Sequence, residues 1–160
     1  MYFSIGGHPA FCVPALPGTK RSDYYLSFEG QDCLEYIRLD LKKGLAIPEV
    51  KYTLPLTDGK APIADGMFDK DALVFENGQI KKVGIALPDG TPYVTMYCEQ
   101  FDRVGIWSKP EGPFVCLEPW AGRTDDLDFA GELKDKTGES CLHAGESMSF
   151  SHTIEIYQEK

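Results

Sequence analysis

Two short segments of this 160-residue chain carry side chains that can move protons. The first is Phe3-Ser4-Ile5-Gly6-Gly7-His8-Pro9-Ala10-Phe11. An extended stretch runs into two glycines, which allow positive φ or close backbone approach, and then into a histidine restricted by the proline after it. Such a turn can hold an imidazole at the rim of a sheet, aimed at a ligand. The second segment is Phe114-Val115-Cys116-Leu117-Glu118-Pro119-Trp120-Ala121-Gly122-Arg123. Side chains alternate along a strand, so Val115 and Leu117 share one face while Phe114, Cys116 and Glu118 share the other. Glu118 then ends an otherwise apolar strand, beside Pro119 and Trp120. A carboxylate against apolar and aromatic walls has a raised pKa, which suits proton transfer near neutral pH. Trp120 offers a ring that can stack on the apolar face of a sugar. Each segment also has a plainer reading: His8 as a histidine in a surface turn, and Glu118 as a strand-end carboxylate paired with Arg123.

Rigid elements must hold these segments, and the chain offers strands rather than helices. Gly and Pro number 16 and 11 and are spread along the whole length. Few uninterrupted stretches remain for helices, so short strands divided by turns are expected. Residues 24–28 are aromatic-rich, residues 34–39 mix apolar and charged positions in near alternation, residues 50–54 alternate more loosely, and residues 72–75 form a short apolar run. Residues 80–87 and 93–97 flank Pro88-Asp89-Gly90-Thr91-Pro92, a turn cluster that predicts a hairpin between two β-prone runs. Residues 114–117 and 150–157 complete the strand set, the last with Ile154 and Ile156 on one face. One helical turn is predicted near residues 68–73, where acidic residues would sit in a first turn. Residues 124–138 are polar and charged and read as a long surface loop. The class that results is all-β, a sandwich rather than a helix-covered sheet.

Lys and Arg total 16 and Asp and Glu 25, a formal net charge of −9 at pH 7. An acidic balance argues against a nucleic-acid backbone or an anionic membrane as partner, because both recruit basic patches. No apolar run approaches the ~20 residues needed to span a bilayer. The first ten residues lack a basic start and already contain Gly6, Gly7, His8 and Pro9, so they do not read as a secretory signal. Cys12, Cys33, Cys98, Cys116 and Cys141 are odd in number and show no close pairing. They read as reduced thiols of a cytoplasmic protein, with neither a disulfide framework nor a metal site evident. A Gly-rich phosphate loop and a Gly-x-Ser-x-Gly nucleophile elbow are also absent from the sequence, so no cofactor is expected.

Taken together, Phe3 to Phe11 and Cys116-Leu117-Glu118-Pro119-Trp120-Ala121-Gly122-Arg123-Thr124-Asp125 resemble the aldose 1-epimerase (galactose mutarotase) family, in its branch of lactose-operon-type epimerase-like proteins. Between them, Tyr24-Tyr25-Leu26-Ser27-Phe28-Glu29, Leu54-Pro55-Leu56 and Asp71-Ala72-Leu73-Val74-Phe75 fall in the expected order, so the resemblance spans essentially the whole chain. It implies a large antiparallel β-sandwich with a sugar site on one sheet face, a small-molecule aldose sugar as partner, and no metal, nucleotide or redox cofactor. It implies further that His8 matches the histidine that protonates the ring oxygen and Glu118 the carboxylate that takes the anomeric hydroxyl proton. Asp71 matches a substrate-binding aspartate, and Trp120 and Arg123 join it as sugar-binding candidates. His143 and His152 match no family catalytic position and read as surface or loop histidines.

Family members carry a substantial N-terminal half before the Gly-Gly-His-Pro motif, which here begins five residues after Met1. The chain therefore resembles the C-terminal portion of a single sandwich domain. Self-association, or a complementary chain supplying strands, is the corresponding expectation. The leading function is interconversion of α- and β-anomers by acid/base ring opening and closure. The alternative is a carbohydrate-binding sandwich without turnover. A glycoside hydrolase is weaker, because hydrolysis ordinarily uses two carboxylates at the scissile bond. A sugar phosphate would want a basic pocket, for which Arg103, Lys109 and Arg123 are available in sequence near Glu118.

Overall fold

The computed structural model describes residues 1–157, and these build a β protein. Its strands are β1 (Tyr2–Phe3), β2 (Ile5–Gly6), β3 (Ala10–Cys12), β4 (Tyr25–Phe28), β5 (Cys33–Leu39), β6 (Ala46–Pro55), β7 (Lys60–Pro62), β8 (Leu73–Phe75), β9 (Lys82–Ala86), β10 (Pro92–Tyr97), β11 (Arg103–Trp107), β12 (Phe114–Ala121), β13 (Ser140–Cys141) and β14 (Thr153–Ile156). Helix among the described residues is limited to two single turns of 3₁₀ type, Arg21–Asp23 and Leu133–Asp135. A seven-stranded sheet runs in the order β2-β12-β11-β8-β5-β6, with β3 also on β12. A five-stranded sheet runs β14-β10-β9-β4-β7, and β1 pairs with β13 in a small separate ribbon. Neighbouring strands are antiparallel in all of these.

The two large sheets bury a common core, and strand alternation decides which side chains enter it. Leu26 and Phe28 on β4, Val83 and Ile85 on β9, and Val94 and Met96 on β10 come from the five-stranded sheet. They meet Leu73 and Phe75 on β8, Val104 and Ile106 on β11, and Val115 and Leu117 on β12. The residues between these point to the opposite face of the larger sheet. A second apolar cluster forms there from Ile37, Ala46, Ala72 and Val74, with Leu39, Trp107 and Trp120 packed against it. The sandwich thus has an apolar outer face as well as an apolar core, and the outer face carries the chemistry described below.

The expected hairpin is present, with β9 and β10 paired around Pro88 to Thr91. Several elements depart from the sequence reading. The helical turn expected at residues 68–73 does not form. Gly66 (φ 76°) and Asp71 (φ 64°) are left-handed, so the backbone there closes separate turns. Met67, Asp69 and Asp71 N–H groups donate to the carbonyls of Ala64, Gly66 and Phe68. β12 does not stop at Leu117 but continues through Glu118, Pro119 and Trp120 to Ala121. Glu118 is therefore an interior strand residue rather than a strand-end one. The short strands β3, β7 and β13 carry too little periodicity to stand out alone and form because neighbours pair with them. Ile156 shares a face with Ile154 but is 70% exposed, at the margin of the smaller sheet. No helix among the described residues is long and apolar enough to cross a membrane.

Candidate active site

The pairing of β2 and β3 with β12 decides the position of His8. Gly6 lies opposite Trp120 and Ala10 lies opposite Cys116. Three residues lie between Gly6 and Ala10 and three between Cys116 and Trp120, so the register carries across the gap and sets His8 opposite Glu118. The positions on either side are held by one bond each: Gly7 N–H donates to Pro119 O at 3.0 Å, and Leu117 N–H donates to Pro9 O at 3.2 Å. Pro9 and Pro119 lack the N–H that would complete the reciprocal bonds. His8 and Glu118 thus occupy a non-hydrogen-bonded position of an antiparallel pair, where facing side chains come closest. His8 Nε2 stands 3.3 Å from Glu118 Oε1.

The two partners have opposite environments. The His8 side chain is 62% exposed, whereas that of Glu118 is 5% exposed. Burial pushes the Glu118 carboxyl up to about 7, a shift opposed by the facing imidazole and by the neighbouring Trp120 indole, and reinforced by the nearby charge of Asp71. A buried acid titrating near neutrality beside an accessible imidazole has the geometry and the protonation range that general acid/base chemistry needs. Trp107 sets its ring edge-on to His8, with centroids 6.0 Å apart at 83°.

Trp120 forms the floor beside Glu118. A Cβ built on Gly105 would stand 2.5 Å from Cζ2 of the indole, and one built on Gly6 would stand 2.7 Å from its Cδ1. The ring therefore needs the bare backbone of both glycines, one on each side of β12. With Leu39, Ile5 and His8 it borders a cavity of about 380 Å³. Glu118 lines the same cavity. The volume is at the small end of the range for ligand sites.

Arg123 also borders the cavity, but its guanidinium is 2% exposed and already paired. Nε bonds Glu76 Oε1 at 2.8 Å, a second nitrogen lies 2.7 Å from Asp126 Oδ1, and a third donates to Thr124 O. Arg103 reaches the same Glu76 oxygen at 3.2 Å and also pairs with Asp102. The Glu118–Arg123 pairing weighed from sequence is thus replaced by Glu118–His8 and Arg123–Glu76. Arg103 and Arg123 converge on Glu76, and Lys109 binds elsewhere, its carbonyl accepting from Arg21. Asp71 sits in the turn leading to β8, where Oδ1 accepts from Ala72 N–H at 2.7 Å and its carbonyl accepts from Arg38 at 2.6 Å. Its charge acts on Glu118, and it is not among the residues that line the cavity. His152 approaches Gly7 and packs edge-on to Phe101, and His143 lies in a loop.

Three members of the site escaped the sequence reading. Trp107, Gly105 and the role of Gly6 as a slot for Trp120 depend on which strands are adjacent. The available signal was the alternation Arg103-Val104-Gly105-Ile106-Trp107, which places a glycine and a tryptophan on one face.

No protein-family model matches the chain. Two curated relatives do, the plasmid and chromosomal forms of Protein LacX from Lactococcus lactis subsp. lactis, each 25% identical over 137 residues. The match takes in 85% of this chain and 46% of each relative. A galactose mutarotase related enzyme from Lactobacillus acidophilus superposes with a TM-score of 0.84 at 29% identity, covering 99% of this chain and 53% of that one. A galactose mutarotase-like protein from Lactobacillus casei gives 0.75 at 25% identity, covering 98% and 54%. The chain spans about half the length of these relatives. In its motifs and its antiparallel sandwich the chain is thus similar to galactose mutarotase-related proteins and to LacX.

Proposed function

We propose that this chain carries the acid/base pair of an aldose 1-epimerase and acts on a free sugar. The observation that carries the reading is the facing of His8 and Glu118 at 3.3 Å, at a cavity floored by an indole. A pyranose stacked on Trp120 presents its C1–O5 unit to both groups. Glu118 in its carboxylate form takes the proton of the anomeric hydroxyl while His8, as imidazolium, donates one to the ring oxygen. The C1–O5 bond breaks and the aldehyde forms. Rotation about C1–C2 exposes the other carbonyl face, and closure returns both protons to where they began. The carboxyl suits this work, because burial brings it to about 7, where it can both take and return a proton.

The commitment of Arg123 to Glu76 and Asp126 favours a neutral sugar over a sugar phosphate, since its charge is already matched by two carboxylates and its side chain is only 2% exposed. Freshly dissolved α-galactose followed by polarimetry, with exchange between anomeric proton signals as a second readout, tests the reading. Exchange faster than the buffer rate, lost in Glu118→Gln, supports it. Sugar binding without accelerated exchange would return the alternative of a non-catalytic carbohydrate-binding sandwich.

A further inference from the structure

Cys116 is a buried thiol on the same face as Glu118 that the proton transfers leave without a task. Strand alternation puts it beside Glu118, two residues earlier on β12, and it is 1% exposed. Cys98, the other buried thiol, donates to Ile80 O at 3.8 Å. Among the described residues Cys116 Sγ has no such partner. Instead, its sulfur, a ring nitrogen of His8 and a carboxylate oxygen of Glu118 all lie within 4.8 Å of one another.

Nitrogen, sulfur and oxygen donors in that proportion suit a borderline-soft ion. Bonds of about 2.0–2.2 Å to nitrogen and oxygen put neighbouring donors of a tetrahedral ion ~3.4 Å apart. The His8–Glu118 separation is 3.3 Å, so two of the three ligands already stand at coordination distance from a common centre. A zinc–sulfur bond of ~2.3 Å asks for a sulfur ~3.6 Å from the other donors, against a present separation of at most 4.8 Å.

We propose that His8, Cys116 and Glu118 bind a thiophilic divalent cation of the zinc class, with the fourth position open to the cavity. The ion replaces the thiol proton of Cys116, which passes to buffer, and the resulting thiolate, the neutral imidazole and the carboxylate hold it. Sequence spacing gives no hint of this set because one ligand comes from the turn between β2 and β3 and two from β12. The binding stands on geometry alone. Its consequence, inhibition of anomer exchange by occupying both proton-transfer groups, rests on the function proposed above.

Titration of the chelator-treated protein with Co(II), followed by displacement with Zn(II), tests the binding without any sugar. One equivalent of Co(II) per chain should give a thiolate-to-metal charge-transfer band with tetrahedral visible bands. Cys116→Ala should lose the charge-transfer band, and His8→Ala should weaken binding at least tenfold. A variant with Cys12, Cys33 and Cys141 all changed to serine should keep the spectrum, since those thiols are exposed and lie elsewhere. No charge-transfer band in the parent chain, or a band that survives Cys116→Ala or disappears with the exposed cysteines, would overturn the proposal. His8→Ala remains decisive should Cys116→Ala fail to fold, because the imidazole is mostly solvent-exposed. Binding with undiminished anomer exchange would instead count against the acid/base roles and leave the cation site standing.

Discussion

Replacing Arg123 by alanine separates two roles that its position beside the cavity allows. Its guanidinium, 2% exposed, holds Glu76 at 2.8 Å and Asp126 at 2.7 Å. Removing one partner of a buried pair leaves a desolvated charge uncompensated, at a cost of about 3–5 kcal/mol. Glu76 would keep Arg103 at 3.2 Å, and the Asp126 side chain is 26% exposed and can be rehydrated. The loss should therefore fall near the lower bound, ~3 kcal/mol. For a domain of this size that lowers Tm by roughly 6–12 °C. Urea unfolding followed by tryptophan fluorescence measures it directly, with a lowered midpoint and an unchanged slope. Arg123→Lys should fall between, because an ammonium keeps the charge but cannot serve Glu76, Thr124 and Asp126 from one planar fork. Sugar affinity, measured well below the unfolding midpoint, should change little. Unaltered stability together with a sugar affinity weakened tenfold or more would refute the reasoning and return Arg123 to the substrate-binding set.

Gly105→Ala should cut anomer exchange by about 10²-fold in a folded protein, because its Cβ would stand 2.5 Å from the Trp120 ring and displace it; mutarotation kinetics beside circular dichroism checks this. Trp120→Ala should raise KM more than it lowers kcat, by removing a stacking surface that ground and transition states share. Glu118 carries a raised pKa in the fold, so its contribution to stability is fully present below its unfolded value near 4.5 and is lost as pH rises through about 7. With chelator present, Glu118→Gln should therefore gain on the parent chain by ~3 kcal/mol between pH 4 and pH 8, and a flat difference in urea stability would show that the carboxyl is not desolvated. Edge strand β6 exposes Val50 and Tyr52, which favours strand-to-strand association; light scattering across a concentration series should show oligomers that Val50→Lys suppresses.

The class of fold and the two candidate residues, His8 and Glu118, were legible in the sequence. Glycine and proline density closed off long helices, and period-two alternation placed Val115 and Leu117 on one face and Cys116 and Glu118 on the other. Those are local properties of one strand or one turn, so they can be read without knowing any partner. The facing of His8 and Glu118 is different in kind. It depends on β2 and β3 pairing with β12 across more than a hundred residues of chain, in one register out of many. A shift of one residue would have turned His8 to the opposite face. The same holds for Trp120, whose indole rests on Gly6 and Gly105 from two neighbouring strands, and for Arg123, whose charge meets Glu76 only after β8, β11 and β12 lie side by side. Local sequence supplied the reactive groups and the face each one takes. Tertiary pairing decided which of them meet and which stay occupied with holding the fold.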